Sequence, residues 1–155
     1  MPATEFSQAL QSAEHWLVVL FTLVIGVLSV VMHYEVLSRL NSWLPTSRIK
    51  PRARVLVAIL IILAAHVAEI WLFAVGIIVS TLLPGLGAVN GAENMALLDA
   101  VYLSAATFTT VGYGDLSPTG PLRFMMGSEA LTGFVLITWS ASFTYLEMQR
   151  YWKNL

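Results

Sequence analysis

From Val55 to Leu122 the chain carries no lysine or arginine, and the first 29 residues of that stretch, Val55 to Leu83, form an almost unbroken apolar run. At about 1.5 Å rise per residue, a helix of that length exceeds what the roughly 30 Å hydrocarbon core of a bilayer requires, so it is expected to span with a tilt. Trp16 to Met32 is a second run of 17 positions, near the lower limit of about 17–25 for a span. Residues 122–146 make a third. With 57% apolar and only 11% charged residues, against roughly 25% charged for a soluble domain, the chain reads as an all-α membrane protein. Cysteine is absent, which excludes disulfides and thiolate metal sites.

Charge placement orients these spans. Five of the eight basic residues, Arg39, Arg48, Lys50, Arg52 and Arg54, fall between positions 39 and 54 with no acid among them, and Arg150 and Lys153 follow the third span. The positive-inside tendency puts both segments on the cytoplasmic side, with the N-terminus outside and the C-terminus inside. A basic segment between two spans is read as a topogenic loop on anionic lipid, not as a nucleic-acid site. The N-terminal residues carry no Lys or Arg before the first apolar run, which argues against a cleaved signal and for a retained helix. His15 and Glu14 before that run, and His33, Tyr34 and Glu35 after it, are expected to be solvated helix ends at the interface.

Between the second and third spans, Leu97 to Thr109 is too short to cross and has no helix breaker, so it is expected to be a half-length helix. It leads into Thr109, Thr110, Val111, Gly112, Tyr113, Gly114 and Asp115, which read TTVGYGD. A strand-like stretch that points successive carbonyls at one axis has to enter left-handed backbone regions, which glycine does without steric cost; Gly112 and Gly114 are expected to supply this. Val111 and Tyr113 would then point away from the axis. Non-helical backbone at membrane depth is tolerated only where protein or water encloses it. Leu116 to Gly120 is read as a turn, and Pro84 to Gly91 as an irregular outer connection.

These seven residues, flanked by a helix on each side, resemble the potassium channel pore family. In that family four TVGYG loops replace the hydration shell of the ion with backbone carbonyls, a known property of the family and not a deduction from spacing. The resemblance covers roughly residues 55 to 150. It implies domains at 1–54 (an extra helix and basic loop) and 55–155 (outer helix 55–83, pore helix 97–109, filter 110–115, inner helix 122–146). It implies K+ held at Thr110, Val111, Gly112 and Tyr113, with Gly114 completing the filter and Thr109 and Asp115 supporting it. One chain holds one loop, so a homotetramer in the plasma membrane, or the inner membrane of a bacterium, is expected, with no cofactor beyond K+. Gly133 lies where the family often has a hinge glycine, and Arg123 also resembles its pattern. Ala106 stands where some members carry a glutamate behind the filter, and Tyr102 and Leu103 where many have two tryptophans. The family's bracing of Tyr113 and Asp115 is therefore not carried over.

Other residues are candidates for gating. His66 and Glu69 share a helix face at i and i+3, and Glu129, four residues before Gly133, can meet them between the outer and inner helices. Such intramembrane groups are costly and usually find a partner. A proton-sensitive gate, a structural hydrogen-bond cluster and a metal site all fit this trio. Ile137, Ala141, Tyr145 and Gln149 follow one stripe, making Tyr145 a candidate constriction or an ordinary packing residue. The first helix lacks an arginine ladder, and few residues follow the inner helix, so neither a voltage sensor nor a cytoplasmic ligand domain is expected. The resulting expectation is passive, potassium-selective conduction and no enzymatic activity. The alternatives are a non-conducting accessory or sensor subunit, or a K+ transporter subunit that retains the pore fold.

Overall fold

The structure is a computed structural model that describes residues 13–92 and 94–152. Helix α1 runs Ala13–Trp43 and ends in a short 3-10 turn, Leu44–Thr46; α2 runs Pro51–Leu82, α3 Leu97–Phe108 and α4 Leu122–Trp152. Two three-residue strands, β1 (Ala88–Asn90) and β2 (Ser117–Thr119), bracket α3 in the sequence. Both α1 and α2 are long and apolar enough to cross a membrane.

Local chemistry sets the helix ends. Pro51 opens α2 instead of breaking it: proline in the first turn has a fixed φ that suits a helix, and its missing N–H would have no partner there. Leu83 is extended (φ −95°, ψ 125°), as the residue before Pro84 is obliged to be, and α2 stops at Leu82. At the start of α3 the backbone N–H of Ala96 donates to Asp99 Oδ2 at 3.3 Å. Alanine has no side-chain acceptor, so only this backward half of a capping box forms.

The helix expected over 16–32 extends to Trp43. The ionisable residues beyond Met32 do not end it, because Tyr34 and Glu35 are exposed while His33, Leu37 and Leu40 continue the buried stripe of Val18, Thr22, Ile25 and Ser29. The segment read as a simple turn after Asp115 is instead a strand, paired antiparallel with the outer connection in the register Ala88↔Thr119, Val89↔Pro118, Asn90↔Ser117. Proline is tolerated because each strand is an edge.

The main core joins all four helices through Ile25, Phe73, Ile77, Leu103, Phe108 and Met126. A second cluster, Leu37, Leu40, Leu44, Ala58 and Ile62, seals the end near the basic loop. There Arg54 is a structural residue: Nε donates to the Ile49 carbonyl and an Nη to that of Ser47, each at 2.9 Å, and the guanidinium lies 5.1 Å from the Tyr151 ring centroid. Of the other basic positions singled out, Lys153 lies outside the described residues.

Candidate functional site

Helix α3 delivers the TTVGYGD stretch. Thr109 closes the helix, its hydroxyl donating to the Ala105 carbonyl at 2.7 Å, and the Thr110 N–H donates to the Thr107 carbonyl at 2.9 Å. Thr110 has φ +59°, the left-handed position just past a helix end that glycine usually takes. Gly112 follows with φ +99°, and its N–H reaches back to the Ala106 carbonyl at 3.2 Å. Gly114 is not in the left-handed region, so the expected pairing of Gly112 with Gly114 is corrected to Thr110 with Gly112. The reason is local: Thr110 reverses the chain out of α3, a step that the alternation rule for the filter did not include.

All of Thr109 to Asp115 is exposed on the single chain, with Val111 82% and Tyr113 49% accessible. Tyr102 stands beside this stretch, and a Cβ at Gly114 would lie 3.4 Å from its hydroxyl. Leu116 and Pro118, which follow, are buried, so the loop is anchored at its outer end by the strand pair. Arg123 fixes the same corner, donating from Nε to the Pro118 carbonyl at 3.2 Å.

Behind the loop, α4 touches α3 closely. A Cβ at Gly133 would overlap the Phe108 carbonyl and lie 2.9 Å from the Phe108 Cα, so only glycine fits. Gly133 sits mid-helix in an unbroken α4 and serves as a close-packing point against the end of α3. One turn earlier, the buried Glu129 carboxyl meets the Ser104 hydroxyl of α3, and Ser104 Oγ also lies 2.8 Å from the Ile70 carbonyl of α2. One hydroxyl hydrogen serves one acceptor. The three-helix contact is therefore complete when the carboxyl brings a second hydrogen.

The sequence grouping of His66, Glu69 and Glu129 is corrected by this geometry. Glu129 is bonded to Ser104 and makes no hydrogen bond to the other two among the described residues. The partner of His66 and Glu69 is His33 of α1, read from sequence as a solvated end and in fact fully buried. Glu69 Oε1 lies 2.9 Å from His33 Nδ1, and Oε2 lies 2.8 Å from His66 Nδ1. On the opposite side both Nε2 atoms lie 3.1 Å from Ser140 Oγ of α4. A usable signal existed in the sequence, since His33 falls on the helical stripe of Thr22, Ile25 and Ser29. Tyr145 is exposed, and its hydroxyl accepts from Gln149 Nε2 at 2.7 Å.

Comparison with known proteins bears on the same region. A family model described as an ion channel family matches residues 55–149. Protein LctB of Bacillus caldotenax is 42% identical over 45 residues, 28% of this chain and 34% of that protein. Protein LctB of Geobacillus stearothermophilus is 45% identical over 40 residues, 26% of this chain and 30% of that protein. The match thus spans about a third of the length of these curated relatives. No solved structure matches the chain.

Proposed function

For this chain, which belongs to the potassium channel pore family, we propose passive, potassium-selective conduction through a homotetramer. The observation that carries the proposal is the exposed loop: seven residues reading TTVGYGD leave a 12-residue helix with no cover on the single chain. At membrane depth such backbone needs an enclosing partner, and copies of the same loop around an axis provide it. The carbonyls of Thr110, Val111, Gly112 and Tyr113 are then the ion ligands. Four rings of dipoles substitute for water around K+, and no resident cofactor takes part.

In the membrane, α1, α2 and α4 are three spans, with α3 entering halfway from the outside. Helix α4 carries several hydroxyl groups: Ser140 turns to His33 and His66, and others are served within the helix. Thr132 donates to Ser128, Thr138 to Phe134 and Ser142 to Thr138, each to the backbone carbonyl at 2.8–3.0 Å. They add little polarity to the lipid face. The basic loop before α2 and Arg150 at the end of α4 lie in the cytoplasm. The N-terminal residues lie outside the described part of the chain, and their extracellular placement rests on the same charge rule.

The test is purified protein in liposomes, with flux followed by a K+ gradient and the assembly sized by native mass spectrometry. A tetramer with K+ flux abolished by Gly112→Asp is expected. A dimer, or wild-type protein that passes no ion, contradicts the proposal.

A further inference from the structure

The four side chains at the junction of α1, α2 and α4 form a closed ring, and we infer that this ring is a binding site for one proton shared between His33 and His66. It goes beyond conduction and concerns what the extra helix α1 does.

Donor counting drives the inference. Ionised Glu69 accepts with one oxygen from Nδ1–H of His33 and with the other from Nδ1–H of His66. Each ring then presents Nε2 to the same Ser140 hydroxyl. That hydroxyl has one hydrogen and donates it to one Nε2. The second Nε2 meets an oxygen lone pair, so a hydrogen bond forms there only if this nitrogen carries a proton. With that proton, all four contacts are made and the carboxylate is balanced by one imidazolium. Without it, two lone pairs face each other across 3.1 Å and the ring holds a net negative charge in a buried site. By turning its hydroxyl, Ser140 lets either histidine be the cation, so the proton belongs to the pair.

The same geometry disfavours a metal ion. The two imidazoles stack, with centroids 5.2 Å apart and planes 24° from parallel, so their in-plane lone pairs run side by side. A single ion at about 2.0–2.1 Å from both nitrogens has to lie in both ring planes. The carboxylate suits the stack better, offering one oxygen to each ring.

No other charged group bonds to the ring among the described residues. Besides Ser140, α4 contributes the Trp139 ring, 5.5 Å from His33, and α3 the Phe108 ring, 5.7 Å from His66. The other buried carboxyl in this region, Glu129, is engaged with Ser104. On α1 the neighbouring Tyr34 and Glu35 face outward. His33 and Glu69 are sealed, whereas 14% of the His66 side chain is accessible, and a cavity of about 440 Å³ between α2 and α4 reaches His66 and Ser140. His66 is the entry point for the proton. Losing it opens the α1–α4 and α2–α4 link through Ser140 at one contact, just below the end of α3.

The test uses the full chain, selectively 15N-labelled at histidine in a His15→Gln background, titrated by NMR across about pH 5 to 8, where histidine changes charge. Uptake of one proton, with His33 and His66 shifting at a common midpoint, is expected, and Ser140→Ala should separate the two midpoints. Two protons taken up at unrelated midpoints in the parent overturn the inference, as does an unchanged spectrum across the range. So does one tightly held zinc ion per chain that survives chelation and moves both rings. None of these outcomes depends on flux, so the inference can fail while conduction stands, or stand while conduction fails.

Discussion

Gly133 and Glu129 show how single residues hold α3 against α4. Because a Cβ at position 133 would overlap the Phe108 carbonyl, Gly133→Ala is expected to cost about 1–3 kcal/mol, the range for overpacking a tight contact. Thermal unfolding of the assembled protein checks this, and an unchanged midpoint contradicts the close-packing role. The Ser104 and Glu129 side chains are expected to act as a unit: Ser104→Ala and Glu129→Ala together should cost less than the sum of the two, with a coupling of about 0.5–3 kcal/mol. Additive losses would mean that the contact contributes nothing of its own. Just beyond the stretch 122–146 that was read as the third span, Glu147 gives a pH prediction. Burial pushes its carboxyl above the usual range, and Arg150 at 2.9 Å only partly offsets this. A raised folded value means that stability is full below the unfolded carboxylate pKa and is lost as pH rises through the folded one. Glu147→Gln should therefore flatten the stability profile on the alkaline side of that range, at the loss of its ion pair with the half-exposed Arg150.

At the scale of elements, the boundaries show what a sequence carries and what it does not. The helix expected over 97–109 was legible from a breaker-free stretch too short to span, and it ends one residue earlier, at Phe108. The span of α2 followed from its apolar length. By contrast, β1 and β2 have three residues each, and β2 contains a proline. Their pairing depends on two segments brought together by the intervening α3, which no local pattern records. His33 was misread because the first ionisable residue after an apolar run looks like an exit from the membrane. Its rotational phase on α1, and not its depth, decides its burial. The error over Glu129 has the same origin, since shared depth brought it to His66 on paper whereas its helix face turns to Ser104. The basic loop offers a test at this scale. Arg54→Lys keeps the charge but loses the fork that reaches the Ile49 and Ser47 carbonyls, so about 1–3 kcal/mol of stability should go while membrane orientation stays unchanged. Unchanged stability would make Arg54 a topogenic charge only, since lysine keeps that charge.

For the whole molecule, one arrangement connects the observations. The single chain is a scaffold of long helices that holds one unpaired, exposed loop in place, anchored at one end by α3 and at the other by the strand pair. On the proposed reading the chain is complete as a pore only in fourfold assembly, where the loops cover one another and Val111 and Tyr113 pack behind the ion path. Helix α1, which lies outside the region matched by the ion channel family, is tied to α2 and α4 through His33, Glu69, His66 and Ser140. The most direct test of the central claim is the reversal potential of the purified protein in a planar bilayer, with potassium on one side and sodium on the other. Potassium-selective conduction predicts a reversal potential displaced strongly toward the potassium equilibrium potential, lost in Gly112→Asp; a wild-type current reversing near zero, with the two ions equally permeant, would contradict it.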